Sequence, residues 1–214
     1  MKYRKLVENA KKPNGFWGKM MIKAMNKGHS SLTSWGLEHM NIERTATVLD
    51  IGCGGGKTVY RLCSIVANGK VYGIDYSELS VKSSEKLNSK NILCNKAKIL
   101  QASVSDMPFD NNTFDNITAV ETYYFWPDKE NDVKEVFRVL KQGGTVMLLF
   151  EMLRTDDDPF KWEKVENMLN IKSVTSQEIR AVLESAGFEN INTYTKEGTT
   201  WLCATAQKPK DDEN

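Results

Sequence analysis

Residues 48–60 read VLDIGCGGGKTVY, an apolar run that breaks into glycines and then resumes with helical spacing. A glycine-rich turn between a strand and a helix seats a charged group, because glycine lets the backbone approach closely and the next helix offers unpaired N–H groups. Spacing decides which group. A triphosphate loop needs a glycine, four residues, then Gly-Lys-Ser/Thr, so that a full ring of N–H groups wraps the phosphates. Gly56, Lys57 and Thr58 supply the end of that pattern, but Ile51 stands where its first glycine belongs. The ring is one residue short and Lys57 is mis-aimed. A dinucleotide turn needs G-x-G-x-x-G, its third glycine allowing tight packing of helix on strand. Gly52 and Gly54 fit that turn, and Lys57 fills the third position.

What remains is acid-x-G-x-G-x-G at a strand end: Asp50, Gly52, Gly54 and Gly56. Alternating glycines lay the chain flat against a ligand while the helix N-terminus faces a carboxylate, a shape suited to an amino acid joined to a nucleoside. The second apolar run ends in GIDYS, which puts Asp75 about 20 residues beyond the loop, where an acid reaches ribose hydroxyls. The two features together are far more specific than either alone.

Around this turn, short apolar runs alternate with amphipathic helical stretches, the pattern of an α/β sheet covered on both faces. The strand candidates are 47–51, 70–76, 98–102, 114–120 and 145–151. Val59, Leu62, Cys63 and Val66 recur at helical spacing, as do Ile179, Val182, Leu183 and Ala186. Val133, Val136, Phe137 and Leu140 do the same, with Asp128 as N-cap and Gly143 and Gly144 expected to stop the helix. Near the end, NINTYTK and TTWLCATAQK flank Glu197 and Gly198 as an antiparallel hairpin, so a parallel sheet would finish with one reversed strand. Residues 1–45 show helical pieces and no strand signal, and are expected to form a helical cap or lid. The main domain spans 46–208, and 209–214 is a solvated tail.

Composition narrows the class. Lys and Arg number 29 against 28 Asp and Glu, a net charge of +1 that predicts no overall field for nucleic acid or an anionic membrane. No run approaches the ~20 apolar residues of a membrane span, and the basic N-terminus lacks the apolar core of a secretory signal. Four scattered cysteines without a CxxC pair, and two histidines, predict reduced thiols, a cytoplasmic setting and no metal.

With VLDIGCGGG, VYGIDYSELSV, DMPFDNNTFDNITAVET and EVFRVLKQGGTVML in this order over residues 46–150, the chain resembles the class I S-adenosylmethionine (SAM)-dependent methyltransferases of the methyltransferase type 11 group. The segment TSQEIRAVLESAGFENINTYT is similar to that family's last helix and strand. The resemblance implies a Rossmann-like, doubly wound seven-stranded sheet of order 3-2-1-4-5-7-6 with strand 7 antiparallel. It also implies SAM as cofactor and S-adenosylhomocysteine as product. By position, Gly52, Cys53, Gly54 and Gly56 carry the methionine end, and Asp50 braces the loop or reaches the ammonium through water. Asp75 takes the ribose, and Tyr76 and Ser77 follow it toward the adenine. Relatives place an acid where this chain has Ser103, so Ser103, Val104 and Ser105 are expected to share the adenine contact. Gln142 replaces a proline that usually precedes the double glycine.

The family geometry sets the reacting methyl above strands 1 and 4, where AVETYYFWPD forms the floor. Glu121 and Glu151 then face one cavity with Tyr123, Tyr124 and Trp126, and carboxylates and aromatic faces attract sulfonium cations. Glu121, Tyr124 and His29 are the catalytic candidates, His29 as a lid residue or a base near neutrality. The expected reaction is in-line transfer of the SAM methyl to a small-molecule acceptor by a monomer or homodimer. Two other readings stay open: a SAM-binding sensor without turnover, and a methyltransferase acting on RNA or protein. Against RNA, the linear sequence has no Lys/Arg stripe interleaved with aromatics and no N-P-P-Y-type run.

Overall fold

The computed structural model describes residues 13–210. The first twelve residues of the expected cap and the last four of the expected tail lie outside the described residues. Seven strands form one sheet of order β3-β2-β1-β4-β5-β7-β6. In chain order they are β1 (Thr47–Ile51), β2 (Lys70–Asp75), β3 (Ala97–Gln101), β4 (Phe114–Val120), β5 (Leu140–Phe150), β6 (Glu189–Thr195) and β7 (Leu202–Gln207). Strands β1 to β5 pair in parallel, whereas β7 pairs antiparallel with both β5 and β6. The order and the reversed strand match the sequence expectation.

Helices α1 (Gly15–Gly28) and α2 (Ser30–Leu37) precede the sheet. They are followed by α3 (Lys57–Ile65), α4 (Glu78–Leu87), α5 (Ser89–Leu93), α6 (Lys129–Val139), α7 (Glu163–Leu169) and α8 (Ser176–Ser185). Local chemistry sets their starts. The Ser77 hydroxyl accepts from the Ser80 N–H, Asp128 accepts from the Asn131 N–H, and Thr175 and Glu178 form a reciprocal capping box.

The central strands are buried on both faces, which is why they read as continuous apolar runs rather than alternating ones. Along β5, Val146, Leu148 and Phe150 enter the core under α6 and α8, while Met147 and Leu149 pack with Leu32 of α2. Strand β1 splits in the same way: Leu49 and Ile51 face the first core, and Val48 joins Val59, Leu62 and Cys63 of α3 in another. A strand's period of two therefore sends Asp50 toward the face that carries the N-terminal helices.

One expectation fails. The helix α6 ends at Val139 and does not run to the double glycine; Leu140 is already extended and pairs with Phe114. Leu140 is fully buried, so it satisfies the helical stripe and the sheet equally, and periodicity alone cannot separate the two. The Lys208 ammonium donates to the carbonyls of Phe137 and Leu140 at 2.8 and 2.9 Å, filling acceptors that a helix end leaves open. The glycines lie inside β5, where the register against β4 slips between Phe114 and Asn116.

Candidate active site

The glycine loop leaves β1 under tight constraint. Gly52 has φ +66°, and a Cβ there would lie 2.2 Å from the Thr122 hydroxyl, so the position needs both the left-handed backbone and the missing side chain. Loop and second strand are tied together: the Cys53 N–H donates to the Ile74 carbonyl at 2.9 Å, and the Gly54 N–H to Asp75 Oδ2 at 2.9 Å. Asp75 Oδ1 accepts from the Ser77 N–H at 2.8 Å. This buried carboxylate thus organises the turn and still lines the adjoining cavity, with its remaining lone pairs available to hydroxyl donors.

Asp50 accepts from the Thr118 hydroxyl at 2.8 Å across the β1–β4 pair, and burial pushes its carboxyl up to about 7. Cys53 turns its thiol inward, 3.8 Å from the Ser84 hydroxyl, where burial pushes it well above the ordinary thiol range. Only its backbone belongs to the loop surface. Ser77 is likewise buried; its hydroxyl donates to the Pro13 carbonyl at 3.0 Å.

Helices α1 and α2 cover the loop. Ile22 packs onto Gly55, and the Asn26 side chain donates to the Gly55 carbonyl at 3.4 Å; a Cβ on Gly55 would sit 2.3 Å from that amide. Gly55 is the third glycine of the run, and the alternating pattern missed it because its role is to let the cap approach. Arg61 of α3 anchors the junction of the two helices, donating to the Ser30 carbonyl and hydroxyl at 3.0 Å each. Two small voids of about 50 Å³ remain between cap and loop, one lined by Asp50 and His29, the other by Asp75 and Glu121.

From there a larger cavity of about 770 Å³ opens beyond Gly52 and Asp75. Tyr76, Ser103 and Val104 line one side, and Tyr124, Phe125 and Trp126 line another. Residues 166–172, around the end of α7, close it; the sequence reading did not foresee this wall, whose short helix carries little apolar periodicity. Ser105 departs from expectation: it is exposed, does not line the cavity, and spends its N–H on the Ser103 hydroxyl at 3.2 Å. The tight turn that bridges Ser103 to Asp106 rotates it outward.

At the tips of β4 and β5 the acidic candidates meet. Glu121 has φ +55°, unfavourable for a side chain of its size, and such strain concentrates at functional sites. Its Oε1 accepts from the Glu151 N–H and from the Tyr124 hydroxyl, the latter at 3.3 Å, and Tyr124 accepts in turn from the Met152 N–H at 3.0 Å. Burial pushes the Glu121 carboxyl up to about 8, with the neighbouring Glu151 charge adding to it, and burial also raises Glu151. His29, at the α1–α2 junction, brings Nε2 to 4.0 Å from Glu151 Oε2, and burial lowers its pKa, favouring the neutral imidazole. One ligand atom from each of His29, Glu121 and Glu151 lies within 4.8 Å of the others, the grouping among the described residues whose geometry would admit a small cation. Chemically, the cluster offers titratable groups of unequal strength beside the glycine loop.

Trp35 of α2 packs against His39 and Trp201, beside the cluster of Leu32, Met147 and Leu149. Tyr123 is a core residue, its ring 5.7 Å from Phe150.

Comparison with known proteins accords with this geometry. The family model described as a methyltransferase domain matches residues 49–148. An uncharacterized methyltransferase of Bacillus subtilis is 27% identical over 183 residues, covering 85% of this chain and 93% of that protein. The ubiquinone/menaquinone biosynthesis C-methyltransferase of Cronobacter sakazakii is 30% identical over 181 residues, 73% of this chain and 72% of its own. Other curated relatives, sterol and demethylmenaquinone methyltransferases among them, are spanned over about half of their length or less. Among solved structures, a methyltransferase in complex with the Haloferax volcanii Trm112 activator aligns with a TM-score of 0.74 at 19% identity, covering 88% of this chain and 93% of that one, a likeness of fold. No helix among the described residues is long and apolar enough to cross a membrane. Loop, sheet order and relatives agree: the chain belongs to the class I SAM-dependent methyltransferases, within the methyltransferase-domain family.

Proposed function

We propose that this SAM-dependent methyltransferase acts on a small-molecule acceptor, held in the 770 Å³ cavity between Tyr124, Phe125, Trp126 and the wall at residues 166–172. The observation that carries this reading is the convergence of one cavity on both the glycine loop and the β4 tip. The volume accommodates a nucleoside cofactor and a compact partner, and its aromatic lining suits an apolar acceptor. Relatives named for quinone and sterol acceptors support the same class.

The residues present fit SAM. Gly52 and Gly54 would carry the methionine end, Asp75 would take the ribose, and Tyr76, Ser103 and Val104, which line the cavity, would flank the adenine. Asp50, beneath the cap, acts as a brace through Thr118 and lines a small void, through which it would reach the ammonium by way of water. When bound, SAM supplies an activated methyl group on a sulfonium centre. The chain's own task is to hold donor and acceptor in line and to exclude water. Residues 13–45 serve as the lid for this purpose, and the main domain runs from 46 to 208. His29, neutral and near Glu151, lines the small void under the cap and not the large cavity, so it would take a proton only from an acceptor group reaching into that void, while Glu121 and Tyr124 would fix the floor.

Calorimetric titration with SAM and S-adenosylhomocysteine, paired with transfer of labelled methyl into a metabolite pool, tests the reading. Saturable binding with turnover into a small molecule is the expected result. His29→Ala should slow transfer at unchanged cofactor affinity. Binding without turnover would establish a sensor, and label appearing only in RNA or protein would replace the acceptor class.

A further inference from the structure

The net charge of +1 conceals a strong asymmetry along the chain. The first 37 residues hold eight Lys and Arg against the single acid Glu8, whereas the remaining 177 hold 21 against 27. Such a bias marks a segment with an anionic partner. Within the described part of that segment, α1 contains no Asp or Glu. Its inner side, with Gly18 and Ile22 buried, rests on the glycine loop. Its outer side is a single helical stripe at i, i+3, i+4, i+7 and i+11: Phe16, Lys19, Met20, Lys23 and Lys27. All five are exposed, Phe16 at 69% and Met20 at 43%, two of the few large apolar side chains the described surface presents. The whole-chain charge sum hides this stripe, which shows only when the helix is projected.

We propose that the outer face of α1 docks on an anionic phospholipid surface. Charge complementarity selects an anionic partner, since three lysines share one side of a helix that offers them no acid. The interleaved Phe16 and Met20 select a lipid over a bare polyanion. A phosphate backbone has no use for exposed apolar tips, whereas a bilayer interface takes them in beneath its headgroups while the lysines stay at headgroup level. Trp17, with its ring 5.7 Å from that of Phe16, widens the aromatic edge. The lid helix would thereby meet the membrane with one side and the cofactor loop with the other, and the inference stands independently of which acceptor the enzyme methylates.

Flotation of the full chain with vesicles of phosphatidylcholine alone, or of phosphatidylcholine mixed with phosphatidylglycerol, tests it. Partition onto the mixed vesicles only, weakened by salt, is expected. The triple variant Lys19→Glu, Lys23→Glu, Lys27→Glu should lower that partition on the order of 100-fold, since each lysine at the surface contributes comparably. Reversal of Lys86, Lys90 and Lys98, exposed elsewhere, should leave it nearly unchanged. Phe16→Ser with Met20→Ser should lower it several-fold and leave a weaker, purely salt-sensitive remainder. S-adenosylhomocysteine calorimetry on every variant keeps loss of fold, and failure of the cofactor assignment, distinguishable from loss of docking. Absence of phosphatidylglycerol-dependent partition would overturn the proposal. So would partition that the Phe16/Met20 variant retains in full, or that both lysine triples reduce alike; either result would mean that only charge is being read, as an RNA or an acidic protein would read it.

Discussion

Substituting Glu121 by Gln isolates the energetic cost of placing a carboxylate at the tip of β4. The amide keeps the shape, and its carbonyl oxygen can accept from the Glu151 N–H and the Tyr124 hydroxyl as Oε1 does now. What changes is the proton. Burial pushes the folded carboxyl from its ordinary 4.5 up to about 8, so between those values the folded protein holds a proton that the unfolded chain releases. Wild-type stability must therefore fall as pH rises through this window, by up to about 1.4 kcal/mol per pH unit where the difference is one full proton. Below the lower value both states are protonated and the cost vanishes; above the upper value it is complete. Relative to wild type, the Gln variant should gain roughly 2 kcal/mol between pH 5.5 and pH 7, less what residual solvent contact screens. Urea unfolding at several pH values measures this directly. Asp50, raised to about 7, gives both proteins a common slope, so only their difference counts. If the two stability curves run parallel across the window, Glu121 is not carrying a displaced proton, and its proposed place in acceptor chemistry loses its physical basis.

Two further substitutions probe the neighbouring framework. Asp75→Asn retains one acceptor oxygen but sets an NH₂ against a backbone N–H, costing about 1.5–3 kcal/mol in the loop; SAM affinity by calorimetry should drop at least tenfold. Tyr124→Phe leaves the Met152 N–H without its partner and removes the donor to Glu121. The urea midpoint should fall by the equivalent of about 1–3 kcal/mol with an unchanged slope, and a midpoint within error of wild type would show that water replaces the hydroxyl.

The glycine-loop half of the candidate site was legible in the sequence because it is built from backbone and from strand ends. Glycine spacing, a strand-terminal acid and alternating apolar runs are local signals, and the structure has Gly52 and Gly54 in the turn after β1 and Asp75 at the end of β2, while the strand order followed from the family resemblance. The remainder depends on contacts between distant segments. Gly55 matters because α1 lies on it, and α1 carries no motif that says where it will pack. The left-handed backbone of Glu121 and its carboxyl-to-amide contact with β5 arise only once two strand tips are adjacent. The end of α6 was misread because Leu140 suits either period, and the Lys208 ammonium that covers the helix's open carbonyls comes from nearly seventy residues later. Ser105 was assigned by counting along a loop, and a single tight turn was enough to point it away.

The position of β7 has a bearing on how the protein is made. It occupies the sixth place in the sheet yet follows the other six strands in the chain, so Val146–Phe150 wait with one hydrogen-bonding edge unsatisfied until residues 202–207 emerge. During synthesis that apolar edge is the segment most open to capture by another chain. A premature stop or a slow codon run before Leu202 should therefore be felt as insolubility, long before it could be noticed as a loss of turnover.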